Sequence, residues 1–127
     1  MIRLLSGWCL AALLCVPAPA SAQQRSLAAA TANDVAAGQR IFDAQCAWCH
    51  GAAGTGGTGP DLHRTTLRHA ANDRELTTIV RNGIPGTEMP GFTSALTEPM
   101  AWQTAAYVRS LGRTRVPHIG GTTPRPT

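Results

Sequence analysis

The stretch Cys46-Ala47-Trp48-Cys49-His50 decides the fold of this chain, because it is a C-x-x-C-H run. Residues three apart lie on one face of a helix, so both thiols can bond along one edge of a flat cofactor. The histidine that follows can then reach a metal at the centre of that cofactor. This run is the attachment signature of a c-type haem, so we expect thioether bonds from Cys46 and Cys49, with His50 as an axial iron ligand.

Two other uses of a cysteine pair fit the sequence less well. A structural zinc site needs four ligands, typically in two closely spaced pairs, and His63, His69 and His118 form no second pair at that spacing. A redox-active dithiol would stand in a βαβ context, whereas no β-branched strand pattern precedes Cys46. The sequence therefore favours covalent haem attachment as the use of this cysteine pair.

Residues 1–22 have the pattern of a secretory signal peptide. A short basic start is followed by the apolar run 8–16 and by Ala20-Ser21-Ala22, which resembles a cleavage site. The apolar run is shorter than the ~20 residues that span a bilayer. We therefore expect export to the periplasm and no membrane span after cleavage. A retained anchor or a lipoprotein signal at Cys15 is the alternative.

The cysteine count and the composition agree with a haem protein. Cys9 and Cys15 would leave with the signal peptide, and the haem would use the other two cysteines, so no disulfide is expected. Three Trp, two Phe and one Tyr give the chain little with which to build a core, and a haem would supply the missing apolar surface. The net charge of +4 comes without a cluster of basic residues, which argues against nucleic-acid binding.

The apolar periodicity predicts three helices and no strands. The spacing of Gly38, Phe42 and the two cysteines predicts a first helix over 34–48, with Asn33 as its N-cap. Flexible segments are expected at 23–32 and at 113–127, on either side of a single domain over 33–112. A short helical turn near 66–70 is also expected.

The other two predicted helices have clear end signals. The second covers 73–82, because Asn72 and Glu75 form a capping pair and Gly83 ends it. The third covers 98–111, with Pro99 in its first turn and Gly112 after its end.

Two glycine-rich loops carry the remaining chemistry. The loop 51–62 lacks the G-K-[ST] ending of a phosphate-binding loop, and its glycines would let the backbone pass close to a porphyrin. The loop 83–92 contains Met89, whose thioether is a soft iron ligand. Pro90 restricts Met89 to an extended backbone. The competing sixth ligands are His63 and His69, while Met100 is expected in the core of the third helix.

The chain resembles the small soluble class I c-type cytochromes of bacteria. The resemblance is carried by 46–51, by Gly59-Pro-Asp-Leu-His63, by Ile84-Pro-Gly-Thr-Glu-Met-Pro90 and by the helix 107–111. It implies an all-α cytochrome c fold, in which three main helices and glycine-rich loops surround one covalent haem. It also implies that the first and last helices cross near Gly38, Phe42 and Tyr107.

The resemblance assigns further haem contacts. The Pro60 carbonyl would accept a hydrogen bond from His50 and so fix its tautomer. Leu62 would pack on the haem, and Thr87 matches a position that contacts a propionate. Arg81 is a second propionate candidate, since a guanidinium binds a carboxylate in a bidentate way. The alternative for Arg81 is a solvated charge at a helix end.

The function implied is that of a periplasmic one-electron carrier with His50 and Met89 as iron ligands. Protein ligands on both faces of the iron leave no open position for a substrate, which argues against an enzyme. Donor and acceptor would be redox proteins such as a dehydrogenase, another cytochrome or a terminal oxidase. The alternatives are a dedicated electron-accepting subunit of a periplasmic dehydrogenase, for example a quinoprotein, and a haem sensor or peroxidase-like protein. The family's mitochondrial members carry many lysines around the haem edge, whereas this chain has none, so their partners are not carried over.

Overall fold

Four α-helices and one short 3-10 helix make up the part of the chain that the computed structural model describes, residues 25–114. The α-helices are α1 (Ala32–Gln45), α2 (Ala47–His50), α3 (Asp73–Asn82) and α4 (Glu98–Arg113), and the 3-10 helix is Leu27–Ala29. The all-α class is confirmed. Where a helical turn was expected near 66–70, Leu67 and Ala70 form an isolated bridge. The expected signal peptide and the tail from 115 onward lie outside the described residues.

Helix α1 differs from its prediction at both ends. Its N-cap is Thr31 rather than Asn33, because Thr31 and Asp34 form a reciprocal capping box. The Asp34 N–H donates to the Thr31 hydroxyl at 3.2 Å, and the Asp34 carboxylate accepts from the Thr31 N–H at 3.0 Å. The bonds from Thr31 are the main cause that lowers the pKa of Asp34. At the other end the backbone turns at Cys46, so α2 is a separate helix rather than the end of α1.

Helix α3 has the predicted bounds, 73–82. The Asn72 side chain accepts from the Glu75 N–H at 2.9 Å, and the Glu75 carboxylate accepts from the Ala71 N–H at 2.7 Å. These bonds satisfy N–H groups that the first helical turn leaves without partners. Gly83 ends the helix with φ of 74°, which glycine adopts without strain.

Helix α4 begins as predicted, with Pro99 in its first turn, but it continues to Arg113. Gly112 therefore lies inside the helix and not after it. A Cβ atom there would collide with the carbonyl oxygen of Arg64. Glycine at 112 therefore lets the segment around Arg64, which follows the loop 51–62, pack against α4. The domain thus extends beyond the expected boundary at 112.

The crossing of α1 and α4 forms the centre of the fold, as the resemblance implied. Gly38 lies against the backbone of Gln103, where a Cβ atom would collide with the Gln103 carbonyl. One turn further on, the Phe42 and Tyr107 rings pack with their centroids 5.2 Å apart, a tilted arrangement that aromatic pairs favour. This crossing fixes the end of α1, and with it the position of the C-x-x-C-H motif.

The segment before α1, expected to be flexible over 23–32, is packed onto the helices in its described part. Leu27 is buried, and its N–H donates to the Asp73 carboxylate at 3.0 Å. The other oxygen of Asp73 accepts from the Arg109 guanidinium at 3.0 Å, and the Trp102 indole donates to the Arg25 carbonyl at 2.8 Å. One buried leucine and two hydrogen bonds to side chains therefore attach the described part of this segment, from Arg25 onward, to the helices.

A Gly38→Ala substitution tests the helix crossing. Alanine favours a helix over glycine by about 1 kcal/mol, but its methyl group would push the Gln103 backbone away from α1. We expect a net loss of about 1–3 kcal/mol in the free energy of unfolding, the usual cost of overpacking a core. Chemical denaturation of the purified protein measures it. The control is Gln39→Ala on the exposed face of α1, which should be neutral or slightly stabilising; equal stability of the two variants would contradict the close approach at Gly38.

Candidate functional site

A cavity of about 520 Å³ lies between the helices and is bordered by five of the eight residues that the sequence predicted for the site. His50 and Met89 both line it, as do Cys46, Pro60 and Leu62. Most of its wall is aliphatic, formed by residues of α3, α4 and the loops, including Leu67, Leu76, Ile79, Val80, Ile84 and Val108. An apolar cavity of this size with a few convergent polar groups is typical of a cofactor site.

The His50 imidazole is held in a single orientation. Its Nδ1 atom lies 3.0 Å from the carbonyl oxygen of Pro60, so the contact that the resemblance implied is present. Because a carbonyl can only accept, Nδ1 carries the proton and Nε2 keeps its lone pair for a metal. The side chain is 8% exposed. Gly59 makes room for it, since a Cβ atom there would lie 2.9 Å from two atoms of the ring.

Backbone hydrogen bonds brace the loop that follows α2. The Gly56 and Gly59 N–H groups donate to the carbonyls of His50 and Cys49, each at 2.8 Å. Further along, the Leu62 N–H donates to the Gly54 carbonyl at 2.8 Å. The loop therefore folds back under α2 and places Pro60 beside the His50 ring.

Cys46 and Cys49 form no disulfide, and each is half-buried. Cys46 lines the cavity, whereas Cys49 does not. Burial in the apolar wall, together with the nearby Cys49, raises the pKa of the Cys46 thiol to about 11.

Met89 is placed by a compact turn between α3 and α4. The Ile84 N–H donates to the Met89 carbonyl at 3.1 Å, and the Met89 N–H donates to the Thr87 hydroxyl at 3.2 Å. That hydroxyl in turn donates to the Ile84 carbonyl at 2.8 Å. The Phe92 N–H donates to the Arg81 carbonyl at 2.7 Å and closes the loop onto α3.

The competing sixth ligands are placed differently. Met100 lies on α4, half-buried against the core, and does not line the cavity. His63 does not line it either, and its Nε2 donates to the Ala53 carbonyl at 2.7 Å. His69 does line the cavity, but it is exposed. Of the two methionines in the described residues, Met89 is the one at the cavity.

Neither of the two propionate candidates, Arg81 and Thr87, lines the cavity. The Arg81 Nε atom is buried without a hydrogen-bond partner among the described residues. Thr87 is exposed, and its hydroxyl serves the turn around Met89. Propionate contacts for both residues stay predictions.

Sequence reasoning missed Arg64 and Arg68 and weighed His69 only as an iron ligand; all three line the cavity. All three are exposed, and they follow directly after the loop that carries Pro60. The sequence does hold a signal for them, since these three basic or titratable residues come just after the Gly-Pro-Asp-Leu-His run. A carboxylate at the cavity mouth would find its counter-charges there.

The residues present fit a c-type haem. An imidazole with a free Nε2, a thioether, two thiols on neighbouring turns and an aliphatic wall make up a donor set of the kind that haem requires. The unpartnered guanidinium nitrogen of Arg81 and the exposed arginines could meet two carboxylates.

No helix in residues 25–114 is long and apolar enough to cross a membrane.

Comparison with known proteins identifies the domain. The family model described as cytochrome c oxidase, cbb3-type, subunit III matches residues 33–108. A cbb3-type cytochrome c oxidase subunit FixP of Sinorhizobium medicae is 36% identical over 86 residues, which cover 61% of this chain and 30% of FixP. A cytochrome c55X of Stutzerimonas stutzeri is 43% identical over 53 residues, covering 42% of this chain and 46% of that protein. The chain thus spans less than a third of FixP.

Solved structures agree with the fold. Cytochrome cL of Methylophaga aminisulfidivorans superposes with a TM-score of 0.57 and 28% identity, covering 62% of this chain and 53% of that one. The c-type cytochrome NirC superposes with a TM-score of 0.51 and 26% identity, covering 64% of this chain and 94% of NirC. The resemblance to c-type cytochromes is confirmed, and the cytochrome c domain implies a haem c.

A Gly59→Ala substitution tests the close packing of the His50 ring against Gly59. The new methyl group would lie about 2.9 Å from the ring, and the ring cannot move aside without losing its hydrogen bond to the Pro60 carbonyl. We expect a weaker hydrogen bond to Pro60, a less basic imidazole and a shifted reduction potential of the purified, haem-loaded protein. Changes to a hydrogen bond that orients a metal-binding histidine typically alter metal affinity by roughly 10–100-fold.

The control for this variant is Thr58→Ala, an exposed neighbour in the same loop. Its potential and visible spectrum should match those of the unmodified protein. A Gly59→Ala protein with an unchanged potential and an unchanged His50 Nδ1 proton resonance would contradict the close packing.

Proposed function

We propose that this chain, which belongs to the family of the cbb3-type cytochrome c oxidase subunit III, is a periplasmic one-electron carrier with one covalently bound haem c. The observation that carries the proposal is the cavity that both His50 and Met89 line, next to the Cys46 thiol. The signal-peptide pattern of residues 1–22 supports the periplasm as its compartment.

Different residues of the chain would have different roles in electron transfer. Cys46 and Cys49 would hold the cofactor permanently, and His50 and Met89 would hold its iron. The haem, when bound, supplies an Fe(II)/Fe(III) couple. The aliphatic wall, with Leu62, would limit the access of water to the cofactor, and the Pro60 carbonyl accepts the Nδ1 proton of His50 and so orients the ring.

The chain would therefore carry electrons without catalysing a reaction. Two protein ligands leave no open coordination site for a substrate. Redox proteins would be its donor and acceptor, and a terminal oxidase, a dehydrogenase or another cytochrome fits that description.

A second candidate is a dedicated cytochrome subunit of one redox complex. Two observations favour it: FixP is named as a subunit of an oxidase, and a protein of Pseudomonas aeruginosa that is 35% identical over 75 residues is named a dihydro-heme d1 dehydrogenase. Gel filtration of the periplasmic fraction separates the candidates. A red species at the mass of the single chain supports the free carrier, and co-elution with a larger enzyme supports the subunit.

Replacing the sixth ligand tests the proposal directly. Met89→Ala should keep the covalent haem, because Cys46 and Cys49 are unchanged. Losing the thioether removes a ligand that favours ferrous iron, so the reduction potential should fall by on the order of 0.1 V, within the ~0.8 V range that axial ligands set. The ferrous variant should also bind carbon monoxide, which the unmodified protein should not.

The matched control for this test is Met100→Ala. Met100 is half-buried against the core, so its truncation should cost about 1–2 kcal/mol of stability and leave the visible spectrum unchanged. If Met89→Ala keeps the native spectrum while Met100→Ala or His69→Ala changes it, the ligand assignment is wrong. Carbon monoxide binding by the unmodified ferrous protein would favour a sensor or peroxidase-like protein instead.

A variant of Arg81 tests the propionate contacts. If the buried Nε of Arg81 meets a propionate, Arg81→Ala removes a positive charge beside the haem and should lower the reduction potential. It should also raise the pKa of that propionate, so the pH dependence of the potential should move to higher pH. Potentiometric titration across pH measures both effects.

Arg74→Ala, an exposed residue in the first turn of α3, is the control for Arg81→Ala. A potential that is unchanged across pH in Arg81→Ala would assign Arg81 to the helix end. In that case Arg64 and Arg68 become the propionate partners to test.

A further inference from the structure

His63 connects the two ends of the loop that carries Pro60. Its Nε2 atom lies 2.7 Å from the carbonyl oxygen of Ala53, ten residues earlier in the chain. Because a carbonyl can only accept, Nε2 carries the proton, and that nitrogen has no lone pair left for a metal. The other ring nitrogen, Nδ1, is buried and has no hydrogen-bond partner among the described residues. The bond to Ala53 is therefore the one hydrogen bond that the His63 ring makes within residues 25–114.

Two neighbouring hydrogen bonds join residues 62–63 to residues 53–54. The Leu62 N–H donates to the Gly54 carbonyl at 2.8 Å, and the His63 ring donates to the carbonyl of the residue before Gly54. Gly54 is buried against the helix crossing, since a Cβ atom there would lie 2.6 Å from the Cδ1 atom of Leu111 on α4. The end of the loop is therefore attached, through residues 53–54, to the core of the fold.

The chain between Pro60 and His63 is short and braced. The His63 N–H donates to the Asp61 carboxylate at 2.8 Å, which is the bond of an Asx-turn, where an aspartate side chain binds the backbone two residues further on. This turn leaves little freedom between the Pro60 carbonyl and the His63 ring. The Pro60 carbonyl in turn lies 3.0 Å from Nδ1 of His50. A displacement of His63 would therefore reach the hydrogen bond that orients the imidazole of His50.

The contact from His63 to Ala53 differs in kind from the bonds on either side of Pro60. Those bonds come from the N–H groups of Gly59 and Leu62, each at 2.8 Å, and their acceptors are also backbone groups. They do not depend on a particular side chain, whereas the bond to Ala53 requires the His63 ring. A substitution at His63 therefore weakens the support of Pro60 without removing a backbone bond.

From these contacts we infer that His63 is a positioning residue for His50: its bond to Ala53 keeps the Pro60 carbonyl within hydrogen-bond distance of the His50 imidazole. The inference rests on the proposed carrier function and deepens it, because it concerns how the reduction potential of the same site is set. A hydrogen bond to the second ring nitrogen of a metal-binding histidine raises the basicity of that ligand. A more basic ligand favours ferric over ferrous iron and so lowers the reduction potential. Loss of the His63 bond should therefore raise the potential.

Two amide variants of His63 form a matched pair for the test. Glutamine places its amide nitrogen near the position of the imidazole Nε2, whereas the shorter asparagine places it near the position of Nδ1. We therefore expect His63→Gln to keep the bond to Ala53, and His63→Asn and His63→Ala to lose it.

Two measurements on the haem-loaded protein report on the His50 ring. Potentiometric titration gives the reduction potential, which should be higher in His63→Asn and His63→Ala than in the unmodified protein and unchanged in His63→Gln. NMR of the reduced protein gives the rate at which the His50 Nδ1 proton exchanges with solvent. This exchange should become about 2–10-fold faster in His63→Asn and His63→Ala, the range expected for the loss of one hydrogen bond, and should stay within about twofold in His63→Gln.

The control is Thr55→Ala, which changes an exposed residue of the same loop. Its reduction potential and its His50 Nδ1 exchange rate should match those of the unmodified protein. The visible spectrum of every variant should also be unchanged, because His63 does not line the cavity.

The outcomes separate a positioning role from other roles of His63. Equal potentials and equal exchange rates in His63→Gln and His63→Asn would overturn the inference, even if His63→Ala failed to fold. A His63→Ala protein that loses stability but keeps its potential and exchange rate would show a purely structural role and would also overturn it. A changed spectrum with carbon monoxide binding in His63→Asn would show that His63 is an iron ligand instead. A protein without a reversible one-electron couple would refute the carrier function, while the exchange rates would still decide the inference about His63.

Discussion

The hydrogen bond between His50 and the Pro60 carbonyl sets the orientation on which the site depends. It fixes the proton on Nδ1 and leaves Nε2 free, and it can form only because the loop 51–60 returns beneath α2 through bonds to the His50 and Cys49 carbonyls. The position of this loop in turn depends on the position of α2. That helix is anchored by the crossing of α1 and α4, where Gly38 and Phe42 lie against the last helix. The geometry of one imidazole thus draws on contacts from three separate parts of the chain.

Local signals explain which parts of the fold could be predicted. Both ends of α3 follow from residues within a turn of them, the Asn72–Glu75 pair and Gly83, and both were predicted correctly. The start of α1 is also encoded locally, since Thr31 and Asp34 have the spacing of a capping box. The predicted N-cap, Asn33, was nevertheless wrong. The break at Cys46 and the position of Gly112 inside α4 depend on packing with distant segments. No sequence pattern indicates that the Arg64 carbonyl packs directly against Gly112.

The same division holds for the site. The predictions of Cys46, Cys49 and His50 rest on one short motif, and that of Met89 rests on ligand chemistry and loop composition. The Pro60 contact came from the family resemblance and is present in the structure. Arg64 and Arg68 were missed because exposed polar residues after a loop look like ordinary solvated surface. Only the folded arrangement shows that this surface borders a cavity. Leu27 was missed for a related reason, since a single leucine in a polar segment gives no periodic signal.

Charge is distributed unevenly around the cavity. Arg64 and Arg68 line it, Arg81 has a buried guanidinium nitrogen, and all three residues lie outside the stretch 44–60. The aliphatic wall would let such charges act on a bound cofactor at longer range than they would in water; the raised pKa of the Cys46 thiol reflects the same weak solvation. The stretch 44–60 carries no formal charge at all. The electrostatics of a cofactor held in the cavity would therefore be set by residues outside the C-x-x-C-H motif, because a covalent motif needs no charged side chain to hold the cofactor.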